Sequence, residues 1–98
     1  MFDKLGQLKD LWKLKGQMEE MKKRLDAMVI KVESPHHWVT VTVNGSMQIQ
    51  QVEFSDLAKT ASQEELAEEI KAVMNKAVQD AQMMAAQAMG SNFGIPNA

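Results

Sequence analysis

Apolar residues in this chain change their repeat twice, from a helical spacing of three and four to strict alternation and back, within ninety-eight residues. Few folds accommodate that order. Residues 3–28 contain no proline and set Leu5, Leu8, Leu11, Trp12, Leu14, Met18, Met21, Leu25 and Met28 on one stripe. Within it, Leu11, Leu14, Met18, Met21, Leu25 and Met28 alternate steps of three and four, the rhythm by which one helix lies along another. Gly6 and Gly16 each weaken such a helix by roughly 1 kcal/mol relative to Ala, so burial of the stripe has to carry it. The second helical stretch spans residues 62–89 and opens on Ser62-Gln63-Glu64-Glu65, a capping box whose acidic residues also suit the helix dipole. Its stripe is Leu66, Ile70, Val73, Ala77, Met84 and Ala88. Gly90 reads as its stop, and residues 91–98, with their Gly, Pro and Asn, as a flexible tail.

Between the helices the repeat is two. Val29, Ile30 and Val32 begin a strand that ends at Ser34-Pro35, because proline cannot donate to a ladder. Val39, Val41 and Val43 then alternate with Trp38, Thr40 and Thr42. Asn44-Gly45 predicts a tight hairpin, since both residues tolerate positive φ. The return arm, residues 46–54, carries Met47 and Ile49 and then Val52 and Phe54, a phase change at Gln50-Gln51 that predicts a bulge. On this reading the valines line one face while Trp38, Met47 and Ile49 line the other, so both faces of a three-stranded antiparallel sheet call for cover. The expected fold is α+β, ordered helix, three strands, helix, as one domain over residues 1–90.

Helices of about 26 residues measure roughly 39 Å, whereas a compact chain of this length has a radius of gyration of about 13 Å. They must overhang so small a sheet. A second copy covering the overhanging apolar surface is the economical solution. The expectation is therefore a homodimer, with Leu11, Leu14, Met18, Trp38, Val39, Val41, Val43, Met47 and Ile49 at its interface.

Charge divides unevenly. Residues 1–33 hold eight basic and six acidic side chains, and the remainder three basic and seven acidic, for a net charge of −2. Any phosphate-binding surface must then lie on the first helix, at Lys4, Lys9, Lys13, Lys15, Lys22, Lys23 and Arg24. The plainer reading is a solvated amphipathic face, with Glu19, Glu20 and Asp26 interleaved. No helix-turn-helix, zinc finger or basic zipper pattern is present, so base readout is not expected.

Other chemistry has little to work with. The absence of cysteine excludes disulfides and thiolate metal sites. His36 and His37 are adjacent at a strand end, where side chains diverge, and read as loop residues rather than metal ligands. Nine methionines fall mostly on the helical stripes as adaptable filling. With no Cys, Tyr, phosphate loop or nucleophile elbow, the chain is expected to be no enzyme and to need no cofactor, metal or small-molecule substrate. Lys and Asp interrupt every apolar run near the N-terminus, so neither a signal peptide nor a membrane span is expected and the cytoplasm fits.

Several segments together resemble the YbaB/EbfC family of bacterial nucleoid-associated proteins. They are Met1-Phe2 leading into Leu14-Lys15-Gly16-Gln17-Met18-Glu19-Glu20-Met21, then Val39-Thr40-Val41-Thr42-Val43-Asn44-Gly45 and Val52-Glu53-Phe54. Glu64-Glu65-Leu66, Asn75-Lys76-Ala77 and Gly94-Ile95-Pro96 extend the likeness. The resemblance implies a homodimer that binds duplex DNA at the nucleoid, its helices projecting from a central sheet like the arms of tweezers. The chain departs from the family pattern at Ser34-Pro35-His36-His37-Trp38, which replaces a Gly-rich stretch, and at Gln50 and Gln51, where relatives can carry basic residues. Its tail is also shorter. The alternative function is a helical interaction module or small holdase-like chaperone, suggested by paired long helices around a hairpin.

Overall fold

The computed structural model describes the backbone of residues 4–92 and the side chains of residues 6–90. Helix α1 (Lys4–Ala27) leads into strands β1 (Val29–Glu33), β2 (Val39–Asn44) and β3 (Ile49–Phe54), and a 3-10 turn over Asp56–Thr60 joins β3 to helix α2 (Gln63–Asn92). The sheet is antiparallel with β2 in the middle. The expected α+β order is thus observed.

One layer of helix covers one face of the sheet. Val32, Val39, Val41 and Val43 pack against Val73, Ala77 and Ala81 of α2, with Ile30, Trp38, Leu66, Ile70 and Met74 at the margin. β-Branched residues on the strands and small alanines on the helix let the two layers approach closely. Residues paired across a ladder share a face. The opposite face therefore carries Lys31, Thr42 and Gln51 in one row and Glu33, Thr40 and Glu53 in the next. That face is polar apart from Val29 beside Asn44 at one end, and the expected second apolar face is not there.

Two local features explain the difference. Val43 pairs with Ile49 and Thr42 with Gln51, which makes Gln50 the bulged residue and returns Ile49 to the valine side. Trp38 precedes β2, so the alternation does not bind it, and it leans on the core while stacking on His36 at 4.7 Å between ring centroids. α2 lies over β2 and β1. Ile49, Val52 and Phe54 of β3 consequently stay exposed, together with Leu57 of the 3-10 turn.

The hairpin between β2 and β3 also differs from a two-residue turn. The Asn44 amide donates to the Gln48 carbonyl and the Met47 amide to the Asn44 carbonyl, leaving Gly45, Ser46 and Met47 as a three-residue loop. Its left-handed position is Met47, with φ 67°. Asn44 instead uses its side chain, accepting the Ser46 and Gln48 amides on Oδ1.

At the other end of the molecule the capping box forms as expected. The Glu65 amide donates to Ser62 Oγ, and the Ser62 amide to Glu65 Oε1, each at 3.1 Å. α2 does not stop at Gly90 but runs to Asn92. Gly90 keeps a helical rather than a left-handed backbone and so closes no cap, and one glycine merely weakens the helix. Ser91 and Asn92 of the expected tail therefore continue α2, and its remainder lies outside the described residues. The molecule extends 71 × 27 × 18 Å with a radius of gyration of 19.3 Å, far above the roughly 13 Å of a compact chain this long.

Candidate nucleic-acid interface

The described part of α1 is exposed on every side from residue 6 to residue 20, and among the described residues the hydrogen bonds that tie it to the sheet fall at its root. There the last turn leaves carbonyls without helical donors. The Gly45 amide donates to the Leu25 and Met28 carbonyls, both at 2.9 Å, and Asn44 Nδ2 donates to the Asp26 carbonyl at 3.4 Å. Ser46 Oγ donates to the Asp26 carboxylate, which also accepts from Lys22 Nζ at 3.1 Å. The hydrogen bond from Ser46, then that from Lys22, holds the Asp26 carboxyl below the ordinary carboxylate range. Gly45 has no room for a side chain: a Cβ would stand 2.8 Å from the Leu25 carbonyl oxygen.

Along the arm, Lys9, Lys13, Gly16, Glu20 and Lys23 recur at steps of three and four, forming the ridge opposite the Leu11-Leu14-Met18 seam, with Arg24 beside it. Lys9, Lys13, Lys23 and Arg24 are all exposed. Lys15 and Lys22 do not join them. One heptad apart, they flank the seam, sharing a hollow with Leu11, Leu14, Met18 and Glu19, and Lys22 is further engaged with Asp26. The predicted cations thus fall into two sets. The Lys4 side chain lies outside the described residues.

Beyond the sheet, α2 accompanies α1. Leu14, Gln17, Met18, Met21, Lys22 and Leu25 face Met89 across a groove of ≈ 430 Å³. After Asp80 the sequence of α2 carries no charge up to Asn92. Phosphate would therefore meet positive charge on α1 and no opposing carboxylate on α2 beyond Asp80.

The predicted interface residues also separate. Leu11, Leu14 and Met18 are open, with Trp12 beside them 72 % exposed. Ile49 is open on the valine side of β3, and Met47 is exposed at the hairpin tip. Val39, Val41 and Val43 are sealed under α2 of the same chain and present no surface to a partner, while Trp38 is half-buried at the core margin. Alternation alone could not tell a face covered by the chain's own helix from one left open. Val52, Phe54 and Leu57 are open residues that the sequence reading missed, and the Gln50 bulge was their available signal.

A polar clasp ties the β1–β2 turn to α2. Ser34 Oγ accepts the Trp38 and Val39 amides at 3.1 and 3.0 Å, and His37, with φ 60°, closes the turn by donating its amide to the Ser34 carbonyl. Glu69 Oε1 lies 2.6 Å from His36 Nδ1, and the His36 amide donates to Oε2 at 3.2 Å. Burial pushes the Glu69 carboxyl up, but hydrogen bonds from Ser34 and His36 outweigh it and leave the group below its ordinary range. His37 pairs with Glu33. Both histidines therefore serve the turn, and among the described residues no cluster of three or more metal-binding side chains occurs.

No described helix is long and apolar enough to cross a membrane. The fold is similar to the crystal structure of an uncharacterized protein, HP0035, from Helicobacter pylori. The TM-score is 0.72 at 15 % identity, covering 94 % of this chain and 98 % of that one. No curated protein matches the chain. The model of the YbaB/EbfC DNA-binding family matches residues 1–94, nearly the whole sequence, and the chain belongs to that family.

Proposed function

We propose that this protein is a non-catalytic, nucleoid-associated homodimer that contacts duplex DNA mainly through the phosphate backbone. Family membership supports a DNA partner. The observation that carries the rest is the division of charge between the two projecting helices: α1 is exposed and lysine-bearing, and the part of α2 beside it is uncharged. Lys9, Lys13, Lys23 and Arg24 are the phosphate contacts, with Lys15 and Lys22 contributing from the edge of the seam. Phosphate contact needs only surface cations and carries no sequence information, in keeping with a role in nucleoid organisation or gene regulation in the cytoplasm.

The dimer forms through β3. It is an edge strand with free backbone groups, and Ile49, Val52, Phe54 and Leu57 continue the valine face out to that edge. A long edge with an apolar flank invites pairing with another copy. Two copies then present two basic arms.

A fluorescence anisotropy titration against duplex DNA at two salt concentrations tests this reading. Affinity should fall as salt rises, log K declining by about 0.9 per phosphate neutralised for each unit of log salt. No binding at low salt overturns it. The open Leu11-Leu14-Met18 seam favours the second reading, a holdase or protein-interaction module, which predicts suppression of client aggregation that survives loss of Lys9, Lys13 and Lys23.

A further inference from the structure

We propose that Gly45, Ser46 and Asp26 are positioning residues that set the direction of the α1 arm and, through it, the placement of its lysines on duplex DNA. The proposal rests on the phosphate-binding reading above, but its structural half stands alone.

Leverage makes the root of the arm decisive. α1 has 24 residues, about 36 Å at 1.5 Å per residue. A rotation of about 10° at its root moves the tip by about 6 Å, nearly two of the roughly 3.4 Å axial steps by which successive phosphates of one strand advance along duplex DNA. Small changes at the root therefore change which phosphates the tip reaches.

The root is also where the arm is held. From residue 6 to residue 20 α1 is exposed all round, whereas the hairpin grips its last turn at the Leu25 and Asp26 carbonyls and the Asp26 carboxylate, and the residue just beyond it at the Met28 carbonyl. Gly45 is central because its amide bonds the helix end while its missing side chain lets the two backbones meet. A Cβ there would stand 2.8 Å from Leu25 O and 3.2 Å from Leu25 Cα. Those atoms are backbone, so they yield only if the helix moves. Ser46 and Asp26 add a side-chain tie that resists twisting about the backbone contacts. Met47 takes the positive φ of the loop, so close approach is the demand on position 45.

The natural lack of cysteine allows two spin labels at introduced cysteines, Asp10→Cys on the arm and Ala72→Cys on α2 over the sheet, both exposed positions. Labelled chain is diluted into excess unlabelled chain, so that double electron–electron resonance reads the distance within one chain. S46A should broaden the distance distribution, G45A should shift its mean, and S46T should restore the narrow one. If S46A leaves a third of the arms correctly placed, affinity for duplex DNA falls about threefold, in proportion to the competent fraction, and S46T recovers it. Should G45A fail to fold, the S46A and S46T pair decides. Distributions in the variants identical to the parent overturn the proposal, as does a redistributed arm with unchanged DNA affinity. A parent protein that ignores DNA overturns the proposed function instead, and the distance measurement then decides the joint alone.

Discussion

Ile49 lies opposite Val43 across the β2–β3 ladder, and Gln51 opposite Thr42, so Gln50 is the one residue of β3 outside the register. That single insertion collects Ile49, Val52 and Phe54 on the side where α2 sits, yet beyond its reach. Replacing Val52 and Phe54 together with Asp should halve the mass measured by sedimentation equilibrium while leaving the circular dichroism of the chain intact. An unchanged mass would move the contact between copies away from β3.

The two sets of cations on α1 give different expectations. Changing Lys9, Lys13 and Lys23 to Glu should weaken DNA binding strongly and flatten its salt dependence by about 0.9 for every phosphate no longer neutralised. Lys15 and Lys22, which flank the seam, should matter less when changed as a pair. Equal effects of the two sets in anisotropy titrations would erase the distinction.

Val41 is fully buried between α2 and the centre of the sheet. Val41→Ala removes two methyl groups from a packed site and should cost about 2 kcal/mol in urea unfolding, from reduced burial plus the cavity left behind. Ser62→Ala, which removes the α2 capping box, should cost about 1 kcal/mol.

Acid should loosen the fold at defined places. Asp26, Glu65 and Glu69 all hold their carboxyls below the ordinary range, by bonds from Ser46 and Lys22, from Ser62, and, against burial, from Ser34 and His36. A depressed folded-state pKa contributes stability that is present above the unfolded value, about 4 for these groups, and lost as pH falls through the folded value. Melting temperature should therefore drop below about pH 4. Glu69→Gln should lower it at neutral pH and flatten that decline.

The order of elements was legible because period and punctuation agree: proline-free stripes at either end, β-branched alternation between them, and Ser62 with Glu65 marking a helix start. The bulge at Gln50-Gln51 was legible from its broken phase. What lay beyond reach depended on which face another element covers. Val39, Val41 and Val43 look like interface from pattern alone, and only the placement of α2 shows them enclosed by their own chain. Gly45 carried the opposite lesson. Its pairing with Asn44 signals a hairpin correctly, but the reason it must be glycine is a helix end twenty residues earlier, and no local pattern reports a contact at that separation. The lysines divide into two sets by simple helical spacing, although their relation to the seam acquires meaning only once α1 is seen to be exposed.

An outline of 71 × 27 × 18 Å has a hydrodynamic consequence. A rod drags more solvent than a sphere of equal mass, so this protein should emerge from a sizing column earlier than globular standards of the same weight. Column calibration alone would overstate the mass of each particle, and light scattering is the measurement that weighs the eluting particle directly.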